Sequence, residues 1–192
     1  MDNASRSERT RSTAIQAALT IIVRDGPARL TLDAIAREGG ISKGALTHHF
    51  PTKRAVLKAL LEHQVTRFSE FSRTYMAEHG PSLSQPRLAT EIATMREAIA
   101  RPDSVAFAIL GAAAEDPSLL DDTRKADVRT VGAITDEAAD PDLALLRWTA
   151  ARGLVLSALL GICPLTEKKR AQLFDRLLEE PAPSPARKTR RR

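Results

Sequence analysis

The sequence contains very little of what stabilises secreted, membrane-spanning or β-rich proteins. It has one cysteine in 192 residues, which excludes an intrachain disulfide framework and any Cys-x-x-Cys metal site. Aromatic residues make up only 4% of the chain, and runs of β-branched residues are scarce. No apolar run reaches the ~18 residues that a membrane span needs, and the polar N-terminus lacks the apolar segment of a signal peptide. We therefore expect a cytoplasmic protein that does not enter the membrane.

Residues with high helix propensity dominate what is present. Ala, Leu, Arg and Glu are abundant, and 43% of the chain is hydrophobic, which is enough for a core. Apolar positions recur at helical spacing between Pro and Gly breaks. The sequence predicts an all-α protein of about nine helices. Two are short and lie within 31–57, and the others are expected over 8–25, 52–79, 87–100, 103–115, 117–138, 141–162 and 167–180.

The stretch 31–57 has the pattern of a helix-turn-helix. Thr31 can cap a first helix, Gly39 and Gly40 can end it, and Ser42 can cap a second helix. The apolar Ala45 and Leu46 would face the core. This leaves Lys43, Gly44, Thr47 and His48 on the outward face of the second helix, the one that enters the major groove in this motif.

Positive charge is concentrated on the same part of the chain. Residues 1–67 hold 11 Lys and Arg against 6 Asp and Glu, whereas residues 68–186 hold 13 against 18. Residues 187–192 add five basic residues and no acid. A basic module on a mildly acidic body is typical of nucleic-acid binders, although an ordinary solvated surface would show the same balance.

The segment HHFPTKRAVL at 48–57 closely resembles the signature of the tetracycline-repressor (TetR) family. In that family the recognition helix runs into an aromatic residue, a Ser or Thr cap and a Lys, which here are Phe50, Thr52 and Lys53. The resemblance covers residues 8–60, with Thr47 where the family usually has Tyr. It implies a homodimer that binds a near-palindromic operator in double-stranded DNA.

This reading divides the chain into three parts. Residues 1–51 form a helix-turn-helix DNA-binding domain, 52–180 a helical regulatory and dimerisation domain, and 181–192 a disordered, Pro-rich basic tail. Lys43, Thr47 and His48 are the candidates for reading bases, with Gly44 beside them. The candidates for phosphate contacts are Thr31, Ser42, His49, Thr52 and Lys53. Arg54 would either add a phosphate contact or lie in solvent.

The C-terminal domain carries weaker signals. A cavity for a small hydrophobic or anionic effector would be lined by Met95, Phe107, Leu110, Trp148, Arg152 and Leu156, although an ordinary packed core would have the same pattern. Arg152 lies in an apolar helix and needs a partner, which could be Glu97, Glu115, Asp116, an anionic ligand or solvent at a subunit boundary. The residues predicted for a two-fold dimer interface are Leu154, Leu159, Leu160, Leu173 and Leu177.

The sequence as a whole predicts a DNA-binding transcriptional regulator, in the first place a repressor that a small molecule releases from DNA. The alternative is a regulator without a ligand, controlled by a partner or by its abundance. An enzyme is not expected, because the chain shows no nucleophile–base pair, carboxylate dyad or phosphate loop. We expect no cofactor and no metal site, since His48 and His49 have no third ligand nearby.

Overall fold

The structure, a computed structural model, describes residues 3–100, 109, 113 and 116–179. Within these residues the chain forms eight α-helices and no β-strand, which confirms the all-α fold. They are α1 (Asn3–Asp25), α2 (Leu32–Gly39), α3 (Lys43–His49), α4 (Lys53–His79), α5 (Pro86–Ala100), α6 (Asp121–Glu137), α7 (Pro141–Leu159) and α8 (Glu167–Leu178). The helix predicted over 103–115 lies outside the described residues, except for Ile109 and Ala113, and so does the tail at 181–192.

Short polar side chains fix where five of these helices begin. Thr31, Ser42 and Thr52 each accept a hydrogen bond from the backbone N–H three residues further on, at 3.1, 3.1 and 3.2 Å. Asp140 and Thr166 do the same at 3.0 and 3.2 Å. Because each cap satisfies a backbone donor that the first helical turn leaves free, these boundaries follow from local sequence.

The first four helices enclose one hydrophobic cluster, called the head core below. α1 contributes a stripe that includes Ala14, Ala18 and Ile22, and the first turns of α4 add residues such as Val56 and Leu60. α1 begins at Asn3, five residues before the start predicted from the sequence, so the basic N-terminal segment is helical from there on.

Two residues from far along the chain complete the head core. Ile109 is buried in it, and the half-buried Leu120 packs against it. Leu120 ends a short 3-10 turn, Pro117–Leu120, which leads into α6. Ile109 and the turn Pro117–Leu120 therefore lie against the first four helices.

The remaining helices share a second cluster, called the C-terminal core. Its buried members are Leu88, Ile92, Ile134, Ala144, Ala151 and Phe174. α5 is central, because it packs against α4, α6, α7 and α8. The Glu137 carboxylate ties α6 to the start of α5 by accepting from the backbone N–H groups of Arg87 and Leu88 at 2.9 and 2.8 Å.

α4 joins the two cores. It has 27 residues, and at 1.5 Å per residue it extends about 40 Å. Its first turns lie in the head core, and near its last turn Met76 accepts a long hydrogen bond from the Thr90 hydroxyl of α5, at 3.9 Å. One helix thus runs from the helix-turn-helix to the C-terminal core.

Candidate DNA-binding site

A left-handed glycine sets the angle between α2 and α3. Gly40 has φ +61°, and its backbone N–H donates to the carbonyl groups of Ala36 and Arg37, which caps the end of α2. Ile41 N–H follows with a bond of 3.0 Å to the Ala36 carbonyl. A residue with a Cβ is strained at such a φ, which explains why glycine stands there. The turn lets Leu46 of α3 reach the head core, where it is fully buried.

With Leu46 buried, the opposite side of α3 faces away from the protein. Lys43, Gly44 and His48 are exposed, and Thr47 and His49 are half-buried. Nothing lies within 4 Å of a Cβ built on Gly44. The structure therefore brings the base-reading candidates together on one open face, next to a glycine that permits close approach of another molecule.

Two of these side chains already have partners within the protein. Lys43 Nζ lies 2.8 Å from the Asp33 carboxylate of α2, and this contact lowers the pKa of Asp33. The Thr47 hydroxyl donates to the carbonyl groups of Lys43 and Gly44 at 2.9 and 3.2 Å, so it turns back along its own helix. Reading a base through either side chain requires exchange of these contacts.

The phosphate candidates are placed at helix starts. The hydroxyls of Thr31, Ser42 and Thr52 accept from their own helices as caps, which leaves each hydroxyl proton free to be donated outward. Lys53 is exposed, and no carboxylate in the described part of the chain lies within ion-pair distance of it. At the start of a long helix, free N–H groups and an unpaired ammonium both favour an anion.

α1 closes one flank of this surface. His49 Nε2 lies 3.5 Å from the Ser7 hydroxyl of α1, and the ring of His49 lies edge-on to that of His48, 5.3 Å between centroids. Arg11 lies over the ring of Phe50 at 6.0 Å and 3.5 Å from Glu62 of α4. The sequence identified His49 but not the contact with α1 that orients it.

A second set of ion pairs links the end of α1 to α2 within the head. Arg24, near the end of α1, donates to Glu38 of α2 at 2.8 and 3.2 Å and to Asp25 at 2.9 Å. These residues border an open pocket of about 530 Å³ that also contacts Arg29 and Arg37. Most of the residues that line this pocket are charged, and it lies in the head, not among the residues predicted to hold an effector.

Arg54, the residue after Lys53, has partners within the protein. It forms an ion pair with Asp116 and donates to the Ser118 hydroxyl at 2.7 Å. Asp116 also accepts from the Ser118 N–H and hydroxyl at 3.1 and 2.6 Å. The bonds from Ser118 and Arg54 hold the pKa of Asp116 below its ordinary value.

The predicted effector residues do not form one closed set. Met95 and Trp148 are half-buried at the edge of the C-terminal core, and the buried Trp148 Nε1 donor has no hydrogen-bond partner among the described residues. Leu156 is 47% exposed. Phe107 and Leu110 lie outside the described residues. The effector cavity remains a prediction.

Arg152 has a partner that was not among the acids proposed from the sequence, of which Glu115 lies outside the described residues. It pairs with Asp127 of α6 at 2.7 Å and lies over the Trp148 ring at 4.6 Å. Asp116 is taken by Arg54, and Glu97 lies 4.0 Å from Arg67. Sequence could not identify Asp127, because the match depends on how α6 packs against α7.

α7 leaves an apolar stripe uncovered. Its exposed positions recur every three or four residues and consist of Leu143, Leu146, Ala150, Gly153 and Leu156, continued by Leu160 directly after the helix. Of the five residues predicted for a dimer interface, Leu160 belongs to this stripe. Leu154 and Leu177 are half-buried against the C-terminal core, and Leu159 and Leu173 are half-buried as well.

No helix in the described ranges is long and apolar enough to cross a membrane. The same ranges hold no cluster of three or more His, Cys, Asp or Glu side chains that could ligate a metal ion.

Comparison with known proteins identifies the class of protein that this head belongs to. Residues 14–60 match the model described as "Bacterial regulatory proteins, tetR family", and residues 85–180 match "Tetracyclin repressor-like, C-terminal domain". The helix-turn-helix is thus that of a DNA-binding transcriptional regulator and not of an enzyme. The chain belongs to the TetR family.

Individual relatives agree with this assignment. The chain is 45% identical over 58 residues to the HTH-type transcriptional regulator SrpR of Pseudomonas putida, a match that covers 30% of this chain and 27% of SrpR. A second regulator from that organism, CymR, is 35% identical over 78 residues, 41% of this chain and 38% of CymR. The matched segments thus span well under half of these relatives.

Solved structures extend the similarity to the whole fold. A transcriptional regulator from Rhodococcus sp. Rha1 is 21% identical, with a TM-score of 0.68 over 87% of this chain and 92% of that one. The multidrug binding protein EbrR, solved with ethidium, is 23% identical, with a TM-score of 0.60 over 88% and 97% of the two chains. At such identities the likeness concerns the fold.

Proposed function

We propose that the chain is a cytoplasmic homodimeric repressor whose two heads bind the half-sites of a near-palindromic operator. The observation that carries this proposal is the open polar face of α3, with Lys43, Gly44 and Thr47, beside Lys53 at the start of α4, which has no ion-pair partner within the described ranges. α3 would enter the major groove, and the starts of α2 and α4 would contact phosphates on either side. Lys43 is the base reader, and Lys53 contributes affinity for DNA of any sequence.

The exposed stripe on α7 supports the dimer. Leucines at positions 146 and 156 flank Gly153, whose missing side chain leaves open space. A stripe of apolar residues with a small residue at its centre suits close packing against the same helix of a second copy, related by a two-fold axis. Such an axis would present both heads to one side of a DNA duplex.

The regulatory step would be release by a small hydrophobic or anionic effector bound in the C-terminal domain. EbrR, which shares this fold, is a multidrug binding protein solved with ethidium. In this chain the buried Trp148 Nε1 donor, which has no partner in the described part of the chain, and the adjacent Arg152 supply polar groups at the edge of an apolar core. A complete switch from 1:99 to 99:1 would need about 5.5 kcal/mol of differential ligand affinity.

Selection from a randomised DNA library tests the proposal. The purified full chain should enrich a two-fold symmetric site with half-sites about one helical turn apart. Absence of any enriched sequence would refute it. A ligand screen for release from the selected site then separates an effector-controlled repressor from the alternative, a regulator controlled by a partner or by abundance.

A further inference from the structure

We propose that Asp116 withholds Arg54 from the DNA, so that the contact between these residues is an autoinhibitory latch between the C-terminal domain and the DNA-binding head. The inference rests on the proposed docking of the start of α4 against a phosphate. It adds a DNA-contacting residue, Arg54, together with the group that competes for it.

The position of Arg54 at the start of α4 would allow its side chain to contact a DNA phosphate. Arg54 is the second residue of α4, next to Lys53 and two residues after the cap Thr52. Its side chain is 55% exposed, so the guanidinium is not locked into the core. A planar guanidinium offers paired N–H donors, which match a phosphate as well as a carboxylate. Whatever anion approaches the start of α4 comes within reach of this side chain.

Asp116 is fixed where it can intercept that side chain. Its Oδ1 atom accepts from the N–H and the hydroxyl of Ser118, so the short turn at Pro117–Leu120 holds the carboxylate in place. Its Oδ2 atom is then free to accept from Arg54 Nε, while Ser118 takes the Nη2 donor. The acceptor is therefore rigid and the donor is a flexible side chain, which makes Arg54 the member of the pair that can change partners.

Described residues on both sides of Asp116 pack on the head core. Ile109 is buried in that core, and Leu120, at the end of the turn that follows Asp116, packs against it. A movement of the Pro117–Leu120 turn relative to α4 would displace Asp116 from Arg54 and disturb the packing of Leu120 at the same time. Because this turn leads directly into α6, the latch couples the position of α6 to the DNA-binding surface.

The strength of the contact suits a competition. Both partners are partly exposed, and ion pairs in solvent contribute little because water and salt screen them. A DNA phosphate can therefore replace Asp116, but the displaced carboxylate then remains close to the backbone and repels it. Both effects lower affinity for DNA, and both disappear when the carboxylate is removed.

Operator binding by four full-length proteins tests the latch: wild type, Asp116→Asn, Arg54→Gln and the double variant. Asn keeps an oxygen that can cap Ser118, and thermal unfolding checks that each variant folds. Asp116→Asn should bind the selected site and an arbitrary duplex more tightly than wild type. In the Arg54→Gln background the same substitution should give only the smaller gain that comes from losing the repulsion between the carboxylate and the phosphates. A missing gain in the wild-type background, or an equal gain without Arg54, would overturn the proposal.

Salt dependence tests whether the released arginine contacts a phosphate. The plot of log affinity against log salt should be steeper for Asp116→Asn than for the double variant by about 0.9 per head, one phosphate's worth. The ratio of their affinities should then fall about 3.5-fold per head between 50 and 200 mM salt. Equal slopes would show that Arg54 does not bind a phosphate and would refute that part of the latch.

Two controls separate the latch from the proposed docking. Asp121→Asn removes an acid five residues from Asp116, which pairs with Arg124 of the same helix at 2.8 Å. This change should give no gain in affinity. A gain equal to that of Asp116→Asn would show that the effect comes from net charge alone and would refute the latch. Lys53→Gln should make the slope shallower by about 0.9 per head. If Lys53→Gln has this effect and Asp116→Asn has none, the docking stands and the latch fails; if neither has an effect, the docking fails too.

Discussion

Lys43 and Asp33 form an ion pair across the helix-turn-helix, with 2.8 Å between Nζ and the carboxylate oxygen. Both side chains are about two-thirds exposed, at 67% and 64%. The pair therefore lies on the surface that we assign to DNA. Asp33 holds the one lysine of α3 in a defined position and also opposes its transfer to a base.

Asp33→Asn should change both affinity and selectivity. With the acid removed, affinity for an arbitrary duplex should rise severalfold, because a negative charge no longer faces the phosphates. Preference at the operator position that Lys43 reads should strengthen, because Lys43 no longer has to leave Asp33 to reach the base; a base contact of this kind is worth about 1–3 kcal/mol. Selection from a randomised library measures both effects. Glu38→Gln, a change in the same helix at a residue paired with Arg24, is the control and should leave base preference intact.

The two glycines on either side of the turn should respond in opposite ways to alanine. Gly40→Ala places a Cβ at φ +61° and should destabilise the fold by about 1–2 kcal/mol. Gly44→Ala falls within a helix, where open space surrounds the new methyl group, and should stabilise the fold by about 0.5–1 kcal/mol. Chemical denaturation measures both. Gly44→Ala should nevertheless weaken DNA binding, because the methyl group would occupy the space in which α3 comes closest to the DNA. Unchanged affinity would show that α3 does not enter the groove at this position.

The stripe on α7 predicts how the oligomer can be disrupted. Leu156→Asp places a charge on the face that we assign to the two-fold interface and should convert the dimer to a monomer, which sedimentation or light scattering would detect. Val23→Asp is the matched control, since Val23 is equally apolar, 62% exposed and located on α1. A dimer that survives Leu156→Asp would show that copies associate through another surface.

Glu91 should make stability depend on pH. Burial raises its pKa above the ordinary 4.5, nearby Asp127 adds to the shift, and Arg87 opposes it. An acid whose pKa is raised on folding binds more protons when folded, so its contribution to stability increases as pH falls towards 4.5. The free energy of unfolding of wild type, relative to Glu91→Gln, should therefore increase between pH 7 and pH 4.5. A difference that stays constant or decreases would contradict the burial of this carboxyl.

Local chemistry explains which features were predictable from sequence. Caps such as Thr31, Ser42 and Thr52 act on donors three residues away, so helix starts could be located without any tertiary information. The same holds for Gly40, whose conformation is required by the turn itself. The all-α fold and the helix-turn-helix followed from these signals together with helical periodicity.

Features that depend on packing between distant elements could not be predicted. Arg54 and Asp116 are 62 residues apart, and no spacing rule connects them. Arg152 was expected to need a partner, but Asp127 became that partner only through the packing of α6 on α7. α7 is apolar almost all round, so its sequence did not indicate which face is buried. The core took Ala144 and Ala151 and left several leucines exposed.

The burial of Ile109 in the head core has a consequence for protein engineering. A fragment that ends after α4 would contain the whole helix-turn-helix and its recognition surface, yet it would lack this side chain and that of Leu120. The apolar patch that they cover would be open to water, so the excised fragment would be less stable and more prone to aggregate. Exchange of DNA-binding heads between such regulators would need to carry the matching residues from the 109–120 segment along with the head.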